Sequence, residues 1–198
     1  MKKIICLGVM LVMVFSLGAC RESSKYYLEY FKSIEELQKI APDFYYFNFD
    51  LENITLVSCS AKGMQANSKI KCDYSRISFY FEPQNSFVHN GVIIETTKHS
   101  KFLWLKPLEK AIDDDFYGKR SIDSIDCYLF YGVSASVNRT TYVVYIFFDI
   151  EDIRYNFDFY LTVDNDQITE EMTLNYFVEQ ALSIAKPAIE NRSKESKN

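Results

Sequence analysis

From Ile153 to Val163 the chain alternates strictly, and this alternation constrains the fold more than any other stretch. Ile153, Tyr155, Phe157, Phe159 and Leu161 share one parity, while Arg154, Asn156, Asp158, Tyr160 and Thr162 hold the other. Successive strand side chains point to opposite faces, so this run reads as a strand with an apolar inward face and a polar outward one. Glu151-Asp152 joins it by a tight hairpin to the run Thr141 to Ile150. There, Tyr142-Val143-Val144-Tyr145-Ile146-Phe147-Phe148 is apolar at both parities, as a strand covered on both sides would be.

Other strands are predicted at about Phe44 to Asp50, Ile54 to Ser60, Lys69 to Glu82, Val92 to Thr97, Phe102 to Leu105 and Ser124 to Val133. The Lys69 run changes parity, since Ile70, Cys72 and Tyr74 share one face and Ile77, Phe79 and Phe81 follow on the other. A bulge near Ser75-Arg76 would reconcile them. Ser33-Ile34-Glu35-Glu36 has capping-box spacing ahead of Leu37 and Ile40, with Pro42 as the stop. Pro107 to Ile112 reads as a short helix with Pro at its first position. From about Gln167 to Lys186, Met172, Phe177, Val178, Ala181, Leu182 and Ala185 form an amphipathic stripe, which Pro187 should kink or end. The sum is one α+β domain over 26–190, mainly an antiparallel sheet with a short N-terminal helix and a longer C-terminal helix packed on it. Residues 191–198 read as a disordered tail.

The 198 residues carry a formal net charge of −5, with 15 Tyr and 16 Phe. Acidity argues against nucleic acid as a partner, which needs a basic footprint. Abundant aromatics with few glycines and prolines describe a packed, sheet-rich protein. Cys59 and Cys72 flank a turn-like stretch, and a hairpin centred on Gln65-Ala66 would set them opposite each other. A Cys59–Cys72 disulfide is therefore predicted, contributing about 3 kcal/mol; the alternative is three buried thiols, Cys127 included. Cys127 shares parity with Ile125 and Leu129 and reads as a buried strand cysteine.

At the N-terminus, Lys2 and Lys3 precede an uncharged, mostly apolar run that closes on Leu17-Gly18-Ala19-Cys20. These four residues resemble the lipobox of bacterial lipoproteins. The alternative, a secretory peptide cut after Ala19, wants a small residue where Leu17 stands. The resemblance implies a signal peptide over 1–19, acylation of Cys20 (palmitate among the chains), and a tether over 20–25. Arg21 follows the cysteine, where inner-membrane retention would want Asp. For a Gram-negative source this implies the outer membrane, facing the periplasm.

Motifs of chemistry are weak. The two histidines, His89 and His99, have no metal-ligand spacing, so no metal and no cofactor are expected. Asp164-Asn165-Asp166-Gln167-Ile168 begins like a calcium loop but has Ile168 where a third ligand belongs and no following glycine. A turn before a helix is the better reading. Asp113-Asp114-Asp115 followed by Phe116-Tyr117 could dock onto a basic protein surface, or could be a solvated acidic loop.

No catalytic motif emerges, so a non-catalytic binding module is expected, with a protein partner and no nucleic acid. In size, anchor, acidity and lack of motifs the chain resembles periplasmic immunity lipoproteins, which neutralise envelope-targeting toxins such as lipases and cell-wall hydrolases. On that resemblance Asp113, Asp114, Asp115, Phe116 and Tyr117 are the candidate partner surface. The alternative is an accessory or structural lipoprotein of an envelope assembly or secretion system.

Overall fold

The computed structural model describes residues 26–49, 51, 53–66, 69–81, 89–98 and 116–195. They form an α+β fold around one eight-stranded antiparallel sheet of order β1-β2-β3-β4-β8-β7-β6-β5. The strands are β1 Tyr26–Phe31, β2 Ile54–Ala66, β3 Lys69–Phe81, β4 His89–Lys98, β5 Phe116–Ile122, β6 Ile125–Ala135, β7 Arg139–Ile150 and β8 Ile153–Asp164. Two runs of neighbour-paired strands thus meet where β4 pairs with β8. Helix α1 is Ile34–Ile40 and helix α2 is Leu174–Glu195.

The alternating run is the spine of the sheet. Tyr155, Phe157, Phe159, Leu161 and Val163 are fully buried on one face. In register beside them lie Val92 and Ile94 of β4 and Val144, Ile146 and Phe148 of β7. Helix α2 closes this face with Phe177, Val178, Ala181, Ala185 and Ile189, and the Phe177 ring stacks on Tyr142 at 3.6 Å. Each such side chain taken from water is worth roughly 1.5–3 kcal/mol, so this face carries most of the fold's stabilisation.

Several expectations are corrected. Phe44 to Phe49 joins no ladder; it crosses the helix-covered face, where Phe47 makes edge contacts with Phe148, Tyr155 and Phe157 at 5.7, 5.0 and 4.8 Å. Its rings find more contact inserted into the core than a strand at the sheet edge would offer. β1 and β5, with little alternation to announce them, take the two edges instead. The parity change in β3 sits at Asp73, where the pairing jumps from Lys62↔Tyr74 to Gly63↔Cys72. That is two residues before the predicted site.

α1 begins as read: the Ser33 hydroxyl accepts from Glu36 N–H at 3.3 Å, and the Glu36 carboxylate accepts from Lys32 N–H at 3.0 Å. α2 begins later than predicted, at Leu174, because Met172 N–H bonds Thr169 C=O in a turn and Thr173 Oγ1 accepts from Tyr176 N–H at 3.4 Å. It also runs through Pro187 to Glu195, taking in most of the predicted disordered tail. Pro187 is exposed, so the Ser183 carbonyl it leaves free faces water, while Ala188 and Ile189 beyond it are buried and hold the helix down.

Two tight hairpins among the described residues turn without glycine: Glu151 between β7 and β8, and Asp123 and Ser124 between β5 and β6, adopt positive φ. The residues resembling a calcium loop serve as a staple. Asn165 Nδ2 donates to the Ser136 and Val137 carbonyls at 3.0 Å each, and Asp164 pairs with Arg139 at 2.9 Å. The predicted strand Phe102 to Leu105 and helix Pro107 to Ile112 lie outside the described residues.

Candidate functional site

No described helix covers the second face of the sheet. Its centre is hollow because β2 and β3 place small side chains there: Ser58 lies opposite Ser78, and Ser60 opposite Arg76. Larger side chains stand on both sides, Leu28 and Tyr30 on β1, Phe147 on β7 and Arg154 on β8. The result is an open groove of about 700 Å³, within the size range of small-ligand sites. Toward β5 the same face carries a second cluster of rings, in which Phe130 meets Phe116 at 5.3 Å and Phe147 at 5.6 Å. These rings explain the doubly apolar run in β7. Its second face is covered by aromatic side chains of its own and neighbouring strands, where a second structural layer was expected.

The groove floor is polar and mostly organised in pairs. Tyr74 donates its hydroxyl to Glu95 at 2.6 Å, and Arg76 Nε lies 3.8 Å from the same carboxylate oxygen. Arg154 grips Asp149 with two bonds, Nε to Oδ1 at 2.9 Å and Nη2 to Oδ2 at 3.0 Å. This fork holds an Arg154 side chain that is only 8% exposed. Burial raises the Tyr74 phenol above its ordinary pKa, and the bond to Glu95 adds to that.

Asp158, beside the groove lining on the same face of β8, is the exception. It is 8% exposed, in register with Ile93 of β4 and Tyr145 of β7, and its Oδ1 has no partner within the protein. Burial pushes its carboxyl up to about 7, Glu95 pushes further, and a bond from Asn156 and the charge of Arg76 only partly oppose them. Asn156, in register with Glu95 and Phe147, likewise keeps a buried Oδ1 without a partner. Two adjacent acceptors on one strand face are therefore unsatisfied, an arrangement that suits a donor from outside the chain.

The residues singled out from the sequence fall elsewhere. Asp113, Asp114 and Asp115 lie outside the described residues, as do Cys20 and His99. Phe116 and Tyr117 do not form a joint surface. A bulge at Tyr117 leaves Phe116 in the open-face ring cluster and sends the Tyr117 hydroxyl to Asn175 of α2. Both are half-buried, so neither is a free anchor.

The predicted disulfide is absent. The hairpin turns two residues later than expected, so Cys72 faces Gly63 and Cys59 faces Ile77. Four residues of extended chain separate those positions, roughly 13 Å, far beyond disulfide reach. Cys59, Cys72 and Cys127 are buried free thiols, and burial pushes them up to about 11, about 11 and about 12. No group of metal-ligating side chains occurs among the described residues.

Sequence reasoning missed the groove, although its signal was visible in part. The outward set Arg154, Asn156, Asp158 and Tyr160 was legible on β8. What could not be read was that Ser58, Ser60, Ser78 and Glu95 would share its face. No family model, curated protein or solved structure matches this chain.

Proposed function

We propose that this chain is a binding module tethered to the bacterial envelope through an acylated Cys20, with a protein partner seated on the open face of its sheet. Its most specific role is that of an immunity protein, held at the periplasmic side of the outer membrane and covering the working surface of an envelope-targeting lipase or cell-wall hydrolase. One observation carries the reading: the groove joins apolar walls to a polar floor, where Asn156 keeps a buried Oδ1 without a partner inside the molecule. Such a surface has interfacial chemistry, with rings to supply affinity and unsatisfied polar groups to supply specificity.

The test is capture with the detergent-solubilised chain, from its own cells and from neighbouring strains, with mass spectrometry of what is retained. Stoichiometric recovery of a secreted hydrolase or lipase, inhibited on mixing, is the expected result. Recovery of envelope-assembly components alone, with no loss of protection on deletion, would replace immunity with the accessory role.

A further inference from the structure

We propose that Asn156 on the groove floor, with Asp158 beside it on the same face of β8, is a receptor for a cationic side chain, an arginine or a lysine presented by the protein partner. This rests on the binding-module reading above and adds the chemistry of what is bound.

Three observations converge on a cation. Asn156 spends its amide on the Asp158 carboxyl, which leaves the Asn156 carbonyl oxygen and one Asp158 oxygen buried and unpartnered on the same strand face. Both are acceptors, so the missing group is a donor, and beside a carboxylate a charged donor fits best. Aromatic rings flank the pair, since Phe147 is the cross-strand neighbour of Asn156 and Tyr145 that of Asp158. Direct cross-strand neighbours lie about 5 Å apart at Cβ, so both aromatic residues stand within reach of a cation bound at the pair.

Three resident cations line the groove, Lys62, Arg76 and Arg154, and the two arginines are held differently. Arg154 is committed to Asp149 by its two-bond fork. Arg76 stands 3.8 Å from Glu95 with its side chain 45% exposed, so an incoming guanidinium can take its place and gain Glu95 as a second carboxylate. The net charge of −5 favours encounter with a basic partner.

The site also gives binding a pH signature. Asp158 is faced by Glu95 from β4, by Tyr74 and Arg76 from β3, by Tyr145 from β7, and by Asn156 and Tyr160 on its own strand. With its carboxyl pushed up to about 7, about half of the molecules hold a proton there at neutral pH. A bound cation requires the carboxylate, so that proton passes to solvent on binding. Affinity then rises about tenfold between pH 6 and pH 8.

The experiment titrates the intact chain in detergent with N-acetyl-L-arginine amide and follows the Asp158 carboxyl carbon by NMR. N-acetyl-L-citrulline amide, the same shape without the charge, is the control. The arginine probe is expected to lower the Asp158 midpoint by about one unit or more and to bind about tenfold more tightly at pH 8 than at pH 6. Citrulline should do neither, and Asp158→Asn should abolish the pH dependence. Equal response to citrulline, affinity indifferent to pH, or an unmoved Asp158 midpoint would overturn the proposal. Should Asp158→Asn fail to fold, the wild-type midpoint with and without probe decides alone. Partner capture without an arginine response refutes the cation receptor and leaves the binding module standing; the reverse pattern refutes the protein partner.

Discussion

The two faces of one sheet are built on opposite rules. On the covered face, rings from β7, β8 and the Phe44–Phe49 segment interlock edge to face, and α2 seals them from water. On the open face, serines hollow out the centre and charges sit in pairs beside a carboxyl that keeps one oxygen unpartnered. The same strands supply both, residue by alternate residue. On the proposed reading, stability and recognition are separated across the thickness of a single sheet: substitutions on one face should read out as folding energy, and on the other as pH dependence or binding.

The largest expected effect tests the covered face. Phe157→Ala removes a ring packed against Phe47, Phe148 and Phe49 and should cost about 3–5 kcal/mol in denaturant unfolding. A loss below about 1 kcal/mol would mean that this face is not the stabilising one.

Asp158→Asn should act in the opposite direction, and only above a certain pH. The unfolded carboxyl titrates near 3.8 and the folded one near 7, so between these values the folded state holds a proton that the unfolded state has released. Wild-type stability therefore falls as pH rises through that window and levels off above about pH 7. The variant, which cannot ionise, should gain on wild type from near zero at about pH 4 to about 4 kcal/mol at about pH 8. Parallel stability curves for the two proteins would show that Asp158 is not strained by burial.

Smaller effects sharpen the contrast. Tyr74→Phe removes the donor to Glu95 and should cost about 1 kcal/mol, measured by thermal unfolding. Ser78→Leu fills the groove floor and should change stability by less than about 0.5 kcal/mol while abolishing uptake of the arginine probe. A reductant should leave Tm unchanged, because the buried cysteines are unbridged. A drop matching about 3 kcal/mol would instead reveal a disulfide.

How much of this was legible follows from what each signal reports. The alternation in β8 and the doubly apolar run in β7 are properties of single segments, and both emerged as strands close to their predicted bounds. The capping box of α1 is equally local, and so is the two-residue hairpin at Glu151-Asp152. The Phe44–Phe49 segment misled because its aromatic run suits a strand, and only the three-dimensional surroundings decide whether rings pair at an edge or plug a core. The disulfide failed for a similar reason. A hairpin displaced by two residues along each strand moves every cross-strand partner, and nothing local to Cys59 or Cys72 sets that register.

The sequence by itself determined an α+β chain with an antiparallel sheet, a short helix near the N-terminus and a long one at the C-terminal end, because periodicity and capping are written in consecutive residues. Tertiary structure alone decided the site. Asp158 became a buried carboxyl with one oxygen unpartnered because β4 came to lie on one side of β8 and β7 on the other. A pKa depends on everything within a few ångströms, and most of those neighbours, Glu95 and Arg76 among them, are more than sixty residues away along the chain.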